Sequence, residues 1–494
     1  MRKTLLAFIV TAICLLGITA CGSSQREDAG GETNIQVTDF AKQNVEPTEV
    51  PSVEVTSVPT EEPTETLEPA ETLVLDYEDY VIEWSDPNLE IMIRTIIGGI
   101  FDRDIMYSDI ASITELTING YDSGIPITDI GSLSHFTNLR KLDLRLNNIV
   151  DISPLRTLTN LEELVLGGNM IQDISPISGL SRLTKLNLNS NNMLSDISSI
   201  SSLSNIIDLD IGYTAVKDMS VLPLLTNLRR LNLSGNNLTD IDLLGGLKNL
   251  EYLGLYGNPI CDMSVLYNFS NLVELNLGGL GVEQQTMQSI LGYVAQLSKL
   301  KNLILVGNEI KDISMLEGLT ELEYLNLMNN NVGDISVLAN MPQMYSLTLT
   351  DNMVKDISPL KDLKKMTVLN LMGNRIADIS VLSELTNITE LDLRDNGYWD
   401  DDIGQLVSLN DISALSNLTN IERLSLAYNP IIDISALSML TKLTYLDLSY
   451  TQVSDISALS ELMNLKQLDL INTQVNDTSA LDEIEELNIV NEYN

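Results

Sequence analysis

Residues 139–160 read LRKLDLRLNNIVDISPLRTLTN, and residues 161–182 read LEELVLGGNMIQDISPISGLSR. The apolar letters, one Asn and the DIS triplet fall at the same places in both, while the letters between them change. Written as LxxLxLxxNxIxDISxLxxLxx, the outline recurs with its Asn position at 147, 169, 191, 214, 236, 258, 280, 308, 330, 352, 374, 396, 429, 451 and 473. Eleven of the fourteen steps are 22 residues. A fixed period of this length means one supersecondary unit stacked many times, because a single unit cannot bury its apolar face alone.

The alternation LxL is the period of a strand, with the intervening letters turned to the opposite face. A stack of such units is expected to hide Leu142, Leu144, Ile149, Ile152, Leu155 and Leu158 against their equivalents above and below. Eleven of the fifteen ladder positions are Asn, whose amide both donates and accepts and so suits a turn with buried backbone groups. Thr214, Thr451 and Thr473 do part of this, and Leu280 cannot. The Asp of each DIS, from Asp151 to Asp477, stands where an N-cap accepts from the amides of the following turn, so the recurring carboxylates read as structural.

This pattern matches the leucine-rich repeat, and the 22-residue DISxL form resembles the internalin family of bacterial surface proteins. EWSDPNLEIMIRTIIGGIFDRDIMYSDIASITELTI, residues 83–118, is similar to that family's N-terminal cap, with DPNLEIMIRTII as an amphipathic helix. The resemblance covers about 410 of the 494 residues. It implies an α/β fold: a right-handed solenoid with a parallel sheet of roughly 16 strands on its concave side, turns and 3₁₀ segments on its convex side, and a small helical cap. The expected divisions are 1–20 signal peptide, 21–76 acylated Cys and tether, 77–115 cap, and 116–494 repeats with insertions near 281–299 and 397–409. Neither an immunoglobulin-like module nor an LPxTG-type sorting signal follows the repeats, so host-cell invasion is not carried over.

Arg2 and Lys3 precede an apolar run, Leu5 to Leu16, that is short for a permanent membrane span and suits a secretory signal. Ile18-Thr19-Ala20-Cys21 looks like a lipobox, which makes Cys21 the expected lipidation site and acylation the expected route to the membrane. With Cys14 in the signal and Cys21 acylated, Cys261 is expected to be a lone thiol with no intrachain disulfide. From Gly22 to about Asp76 the chain is rich in Glu, Thr, Ser and Pro and cannot bury enough apolar surface to fold. Roughly 55 such residues reach at most about 180–200 Å, enough to lift a domain through a porous wall. A Gram-positive surface is the expected setting.

The net charge of −41 argues against nucleic acid, which requires clustered Lys and Arg, and against anionic lipid. A basic protein surface or a glycan is compatible with it. The single histidine, His135, lacks Cys partners, and no GxSxG, HExxH, P-loop or Cys-His arrangement occurs. Neither an enzyme, a metal nor a cofactor is expected. Asp400-Asp401-Asp402 lacks the alternating spacing and the Gly of a calcium loop.

What remains is the face drawn by the varied letters. Tyr252, Tyr256, Ile304, Val306, Tyr324, Met328, Val368 and Met372 are expected to make one central patch there, because exposed apolar and aromatic clusters mark contact sites. Between 280 and 300, Met287, Ile290, Leu291, Val294 and Leu297 recur at helical spacing and predict a packed convex-side helix. GYWDDDIGQLVS inserts eleven residues after Asn396 and places Trp399 on a loop, a further candidate contact. The function expected is recognition of a protein or carbohydrate partner by a monomeric, lipid-anchored surface protein. A self-associating envelope protein is the rival, and a cell-wall hydrolase a distant third.

Overall fold

The computed structural model describes residues 79–401 and 404–491. The expected signal peptide 1–20, Cys21, the tether 21–76 and Asp402 lie outside the described residues. The rest follows the repeat. Three-residue strands from Glu115–Thr117 to Asn488–Val490 form one 17-stranded sheet, one more strand than roughly expected. Each strand pairs in parallel with the next strand of the sheet, and Leu faces Leu across every step but the last, as in Leu142↔Leu164 and Leu446↔Leu468, with Leu468↔Ile489 closing the sheet.

Locking Leu to Leu decides which face is buried, since a slip of one residue would turn every side chain over. Leu142, Leu144, Ile149, Ile152, Leu155 and Leu158 are all at most 1% exposed, and their equivalents continue one unbroken core from the cap to Ile484. Opposite the sheet, the coils close with a 3₁₀ segment such as Ser153–Thr157 or Ser358–Asp362, except one that closes with an α-helix.

The polar half of the repeat satisfies the backbone at the turns. Asn258 is fully buried; its Oδ1 accepts from the Leu238 amide at 2.9 Å, and its Nδ2 donates to the carbonyls of Leu233 and Leu255 at 3.0 Å each. Asn147, Asn169, Asn330, Asn374 and Asn429 repeat the donor pattern, one carbonyl in their own rung and one in the rung before. Thr214 donates to the Ile211 carbonyl and to Asn236 Oδ1, while Leu280 contributes only its own amide, to Asn308 Oδ1. The residue before each ladder position is left-handed throughout, from Leu146 at φ 57° to Asn472 at φ 55°. Gly fits there at Gly168, Gly235 and Gly373, but Tyr213, Tyr428 and Tyr450 hold the same conformation against its steric cost.

A second ladder, not anticipated from the sequence, runs along the flank where each coil enters its strand. Asn138, Asn160, Asn205, Asn227, Asn249, Asn271, Asn387, Asn420 and Asn464 each donate Nδ2 to a carbonyl of the preceding coil at 2.7–3.1 Å. The DIS aspartates lie one residue ahead of the formal cap: each accepts from the amide two positions on, as in Asp173 to Ser175 at 2.7 Å and Asp455 to Ser457 at 2.8 Å.

The cap is tied down by a similar device. Asp86 caps the start of the helix Pro87–Ile96 by accepting from the Asn88 and Leu89 amides, and its other oxygen accepts from Thr128 and Asp129 of the first coil. Burial pushes this carboxyl up, and the Thr128, Asp129 and Leu89 amides more than offset it, holding it below the ordinary value. Cys261 lies in a described coil, and the chain's other cysteines, Cys14 and Cys21, on which the expectation for its thiol turns, lie outside the described residues.

Two stability predictions follow from these ladders. Asn258→Leu keeps the volume but takes the side-chain partner from the Asn236 and Leu238 amides and the Leu233 and Leu255 carbonyls, so it should cost at least about 3 kcal/mol in urea unfolding, and Asn258→Thr less; a loss under about 1 kcal/mol would deny the ladder its role. The Asp173, Asp196, Asp433 and Asp455 carboxyls are held below their ordinary value, first by the Ser amide two residues on. A depressed folded-state value means stability that is complete above the unfolded value of about 3.9 and lost as pH falls through the folded one. Replacing these four by Asn, which still accepts, should flatten the melting temperature against pH below about pH 4 and leave it unchanged at pH 7.

Candidate functional site

The sheet's solvent side is made of three columns: the residue before the first Leu of each strand, the residue between the two, and the residue after the second. Because the strands are parallel and in register, neighbours within a column lie about 4.8 Å apart. This register separates residues that the sequence groups together. Tyr252 and Tyr324 share a column, but Glu274 and Asn302 stand between them. Ser346 likewise separates Tyr324 from Val368, and Thr350 separates Met328 from Met372.

All eight expected patch residues are half-buried with part of each side chain open to solvent. Ile304, Val306, Tyr324 and Met328 come from two adjacent strands and form the apolar centre. Tyr324 is anchored by Asn326 Nδ2, 3.3 Å from its hydroxyl. Tyr252 and Tyr256 belong to a more polar neighbourhood. The Arg230 guanidinium lies 4.3 Å over the Tyr252 ring and pairs with Glu274 at 3.5 Å, and the Tyr256 ring occupies the space over Gly278, where a Cβ would come within 2.7 Å of it.

The middle column holds the polar residues that sequence reasoning passed over. Asn187, Asp210, Asn232, Asn276, Asn326, Asn370, Asp392 and Asp447 each accept from the amide two residues on, closing the strand end. At Asp210 the carboxylate also collects Asn232 Nδ2 at 3.0 Å and Asn187 Nδ2 at 3.1 Å. Burial raises its pKa despite these donors. Toward the other end, Arg394 grips Asp392, Ser425 donates to Asp447, the Arg423 guanidinium lies 4.4 Å over the Tyr445 ring, and the Tyr445 hydroxyl donates to Asp469 at 3.1 Å. Burial, then Asp447 and Asp469, push the Tyr445 hydroxyl well above its usual value. The Asn and Asp letters of this column are legible in the sequence; their cross-strand partners are set by register.

Trp399 stands apart from the sheet columns. The insertion after Asn396 is an antiparallel hairpin, Gly397–Asp400 against Gln405–Ser408, rather than the expected loop. Trp399 pairs with Leu406 across it, and the two are 62% and 64% exposed. On the opposite face Lys355 lies 4.4 Å over the Tyr398 ring and 3.6 Å from Asp400, which fixes the hairpin to an earlier coil. Tyr428 and Tyr450, also missed, stack at 4.3 Å at the left-handed corner of their turns.

The convex side carries the helix Gln284–Val294, with Met287, Ile290, Leu291 and Val294 buried against the core and Tyr293 edge-on to Tyr267. His135 closes the first 3₁₀ segment, its Nδ1 3.0 Å from the Tyr80 hydroxyl, and serves the cap. Among the described residues there is no group of His, Cys, Asp and Glu fit to hold a metal, and no helix long and apolar enough to cross a membrane.

Comparison with known proteins agrees with this geometry. A family model described as leucine-rich repeats in two copies matches residues 159–202, 226–268, 298–340 and 441–483, and a single leucine-rich repeat matches 135–152. No curated protein matches the sequence. Among solved structures, the Leptospira interrogans leucine-rich repeat protein LIC12759 superposes with a TM-score of 0.60 at 22% identity over 78% of this chain and 97% of its own. The functional domain of InlJ from Listeria monocytogenes gives 0.50 at 20% identity over 82% and 80%, and the plant peptide hormone receptor RGFR1 in complex with RGF2 gives 0.51 at 21% over 77% and 62%. The register-locked leucine core, the asparagine ladder and these matches together show that the chain is built of leucine-rich repeats, in a coil of the same fold as the InlJ domain.

Proposed function

We propose that this chain is a recognition protein, displayed outside the cytoplasm and anchored through acylation of Cys21, that holds a protein or glycan partner on the concave side of its repeat sheet. The acidic tether between Cys21 and the cap would carry the repeats away from a Gram-positive membrane, and the chain would act as a monomer with no catalytic step. The observation that carries the reading is the mismatch between what the core needs and what the sheet displays. Every repeat leucine is buried, yet Ile304, Val306, Tyr324 and Met328 keep apolar surface open on a rigid, regular face. Aromatic and Met side chains so placed are the usual anchors of interface centres, and a preformed sheet loses little entropy when it binds. The hairpin with Trp399 and Leu406 adds a second apolar contact on a separate element. The RGFR1 complex supports the reading in kind, as a coil of this fold solved with a peptide hormone receptor's partner.

The test is an array of surface proteins and glycans probed with the full chain, followed by Val306→Asp with Met328→Asp. The affinity for the retained partner should fall at least about 30-fold, as for a central contact worth 2 kcal/mol or more, while Tyr267→Ala on the convex side leaves it unchanged. Binding that survives the double variant would overturn the reading. Conversion of an oligomer of the full chain to monomer by the same variant would instead make this a self-association surface.

A further inference from the structure

The flank that carries the second asparagine ladder contains a groove of about 550 Å³ lined by Tyr345, Lys365, Thr367, Asn387, Thr389, Asn420, Glu422 and Lys442. It lies beside the open face and draws on none of the residues assigned to the partner there. We propose that this groove is a separate binding site for a short oligosaccharide bearing a carboxylate, a sugar acid seated against the Tyr345 ring.

The local sequence makes the hollow. Along this column several coils place long, ion-paired side chains, as in Arg140 with Glu162, Arg229 with Glu251 and Lys301 with Glu323. Thr367 and Thr389 interrupt the column with short side chains that turn back onto the Tyr345 and Thr367 carbonyls. The floor is therefore two threonines wide, with Tyr345, 42% exposed, at one end and Glu422 at the other. Consecutive strand pairings carry the groove across the coils of Ser346, Val368, Glu390, Arg423 and Tyr445, about 19 Å at the usual strand spacing.

The polar groups select the ligand. The amides of Thr367, Thr389 and Glu422 are spent on the neighbouring strand, so no backbone nest is present to hold a phosphate. Asn387 and Asn420 spend Nδ2 on the ladder and turn Oδ1 outward. With the threonine oxygens and the Glu422 carboxylate, these acceptors suit ligand hydroxyls, which donate. The cations stand at the two ends. Lys365 donates to Gln343 and Lys442 to Asn420 Oδ1, one bond each, and an ammonium has three hydrogens, so both keep donors for a carboxylate. An exposed Tyr face stacks on the apolar face of a sugar ring. The charge of −41 opposes anions at long range, but that field is screened over about 8 Å at physiological salt, which leaves the two lysines to decide.

A second groove of about 510 Å³ on the same flank, lined by Glu162, Arg182, Thr184, Asn205, Ile207, Asn227 and Arg229, provides an internal comparison. It has an Ile207 floor and no aromatic ring to stack on a sugar, and the charge of Arg229 is matched by Glu251. It should not bind the same ligand.

The experiment is titration of the full chain with a panel of short oligosaccharides carrying uronic or nonulosonic acids, each paired with its neutral analogue. At least one acidic member should bind in the millimolar range or tighter, and its neutral analogue at least about tenfold more weakly. Lys365→Gln with Lys442→Gln should bring the acidic sugar down to the neutral level, and Tyr345→Ala should weaken both at least about tenfold. Arg182→Gln in the second groove should change neither. All four side chains are on the surface, so the melting temperature should not move. Absence of binding across the panel, equal binding of acid and neutral sugars, or binding that survives the Lys and Tyr variants would each overturn the proposal.

Discussion

The buried side-chain amide is the interaction on which this molecule depends. Stacking apolar coils is favourable, but each coil must turn sharply beneath its sheet, and a turn buried between two others leaves backbone amides and carbonyls that water cannot reach. Asn258 answers two such amides and two carbonyls with one side chain, from a site with no solvent exposure. Repeated from Asn147 to Asn429, that solution fixes the spacing of the coils and with it the strand register. Where the letter changes, the loss is local: Thr214 keeps part of the pattern, and the Leu280 coil leans on Asn308 from the next.

Once the core and the ladders are settled, the remaining positions are free to vary, and they give the open face its character. The open face is divided by register into a polar region around Asp210 and Tyr252, an apolar centre around Val306 and Met328, and a charged region around Asp392, Arg394 and Tyr445. The flank is a second writable surface. There, ion pairs such as Arg140 with Glu162 and Lys301 with Glu323 fill parts of the column, and the consecutive Thr367 and Thr389 leave a groove.

Much of this was legible in the sequence because each repeat states its own constraints. Leu, Asn and Asp recur at fixed offsets, so burial, ladder and turn could be assigned to numbered residues before any coordinates. Three features were not legible. The flank ladder uses Asn138, Asn160 and their equivalents, whose column also holds Arg182, Lys299 and Lys365, so its period is broken by residues that do a related task. The expected patch of eight residues ignored the rungs between them, and Glu274 and Ser346 separate what a list of apolar letters had joined. The insertion at Trp399 carries no hairpin turn signal of the two-residue kind, and its pairing of Trp399 with Leu406 depends on Lys355 two coils earlier holding the strand from the other side.

Hydrogen exchange of the full chain tests the central claim most directly. The amides of Ile171, Leu238, Ile310 and Val354 point at ladder Asn side chains, to Asn191, Asn258, Asn330 and Asn374, and belong to no strand. If the buried amide ladder holds the coils together, these four should exchange as slowly as the strand amides of Leu231, Leu253 and Leu325. Exchange at the rate of the exposed turns, with the strand amides still protected, would contradict it.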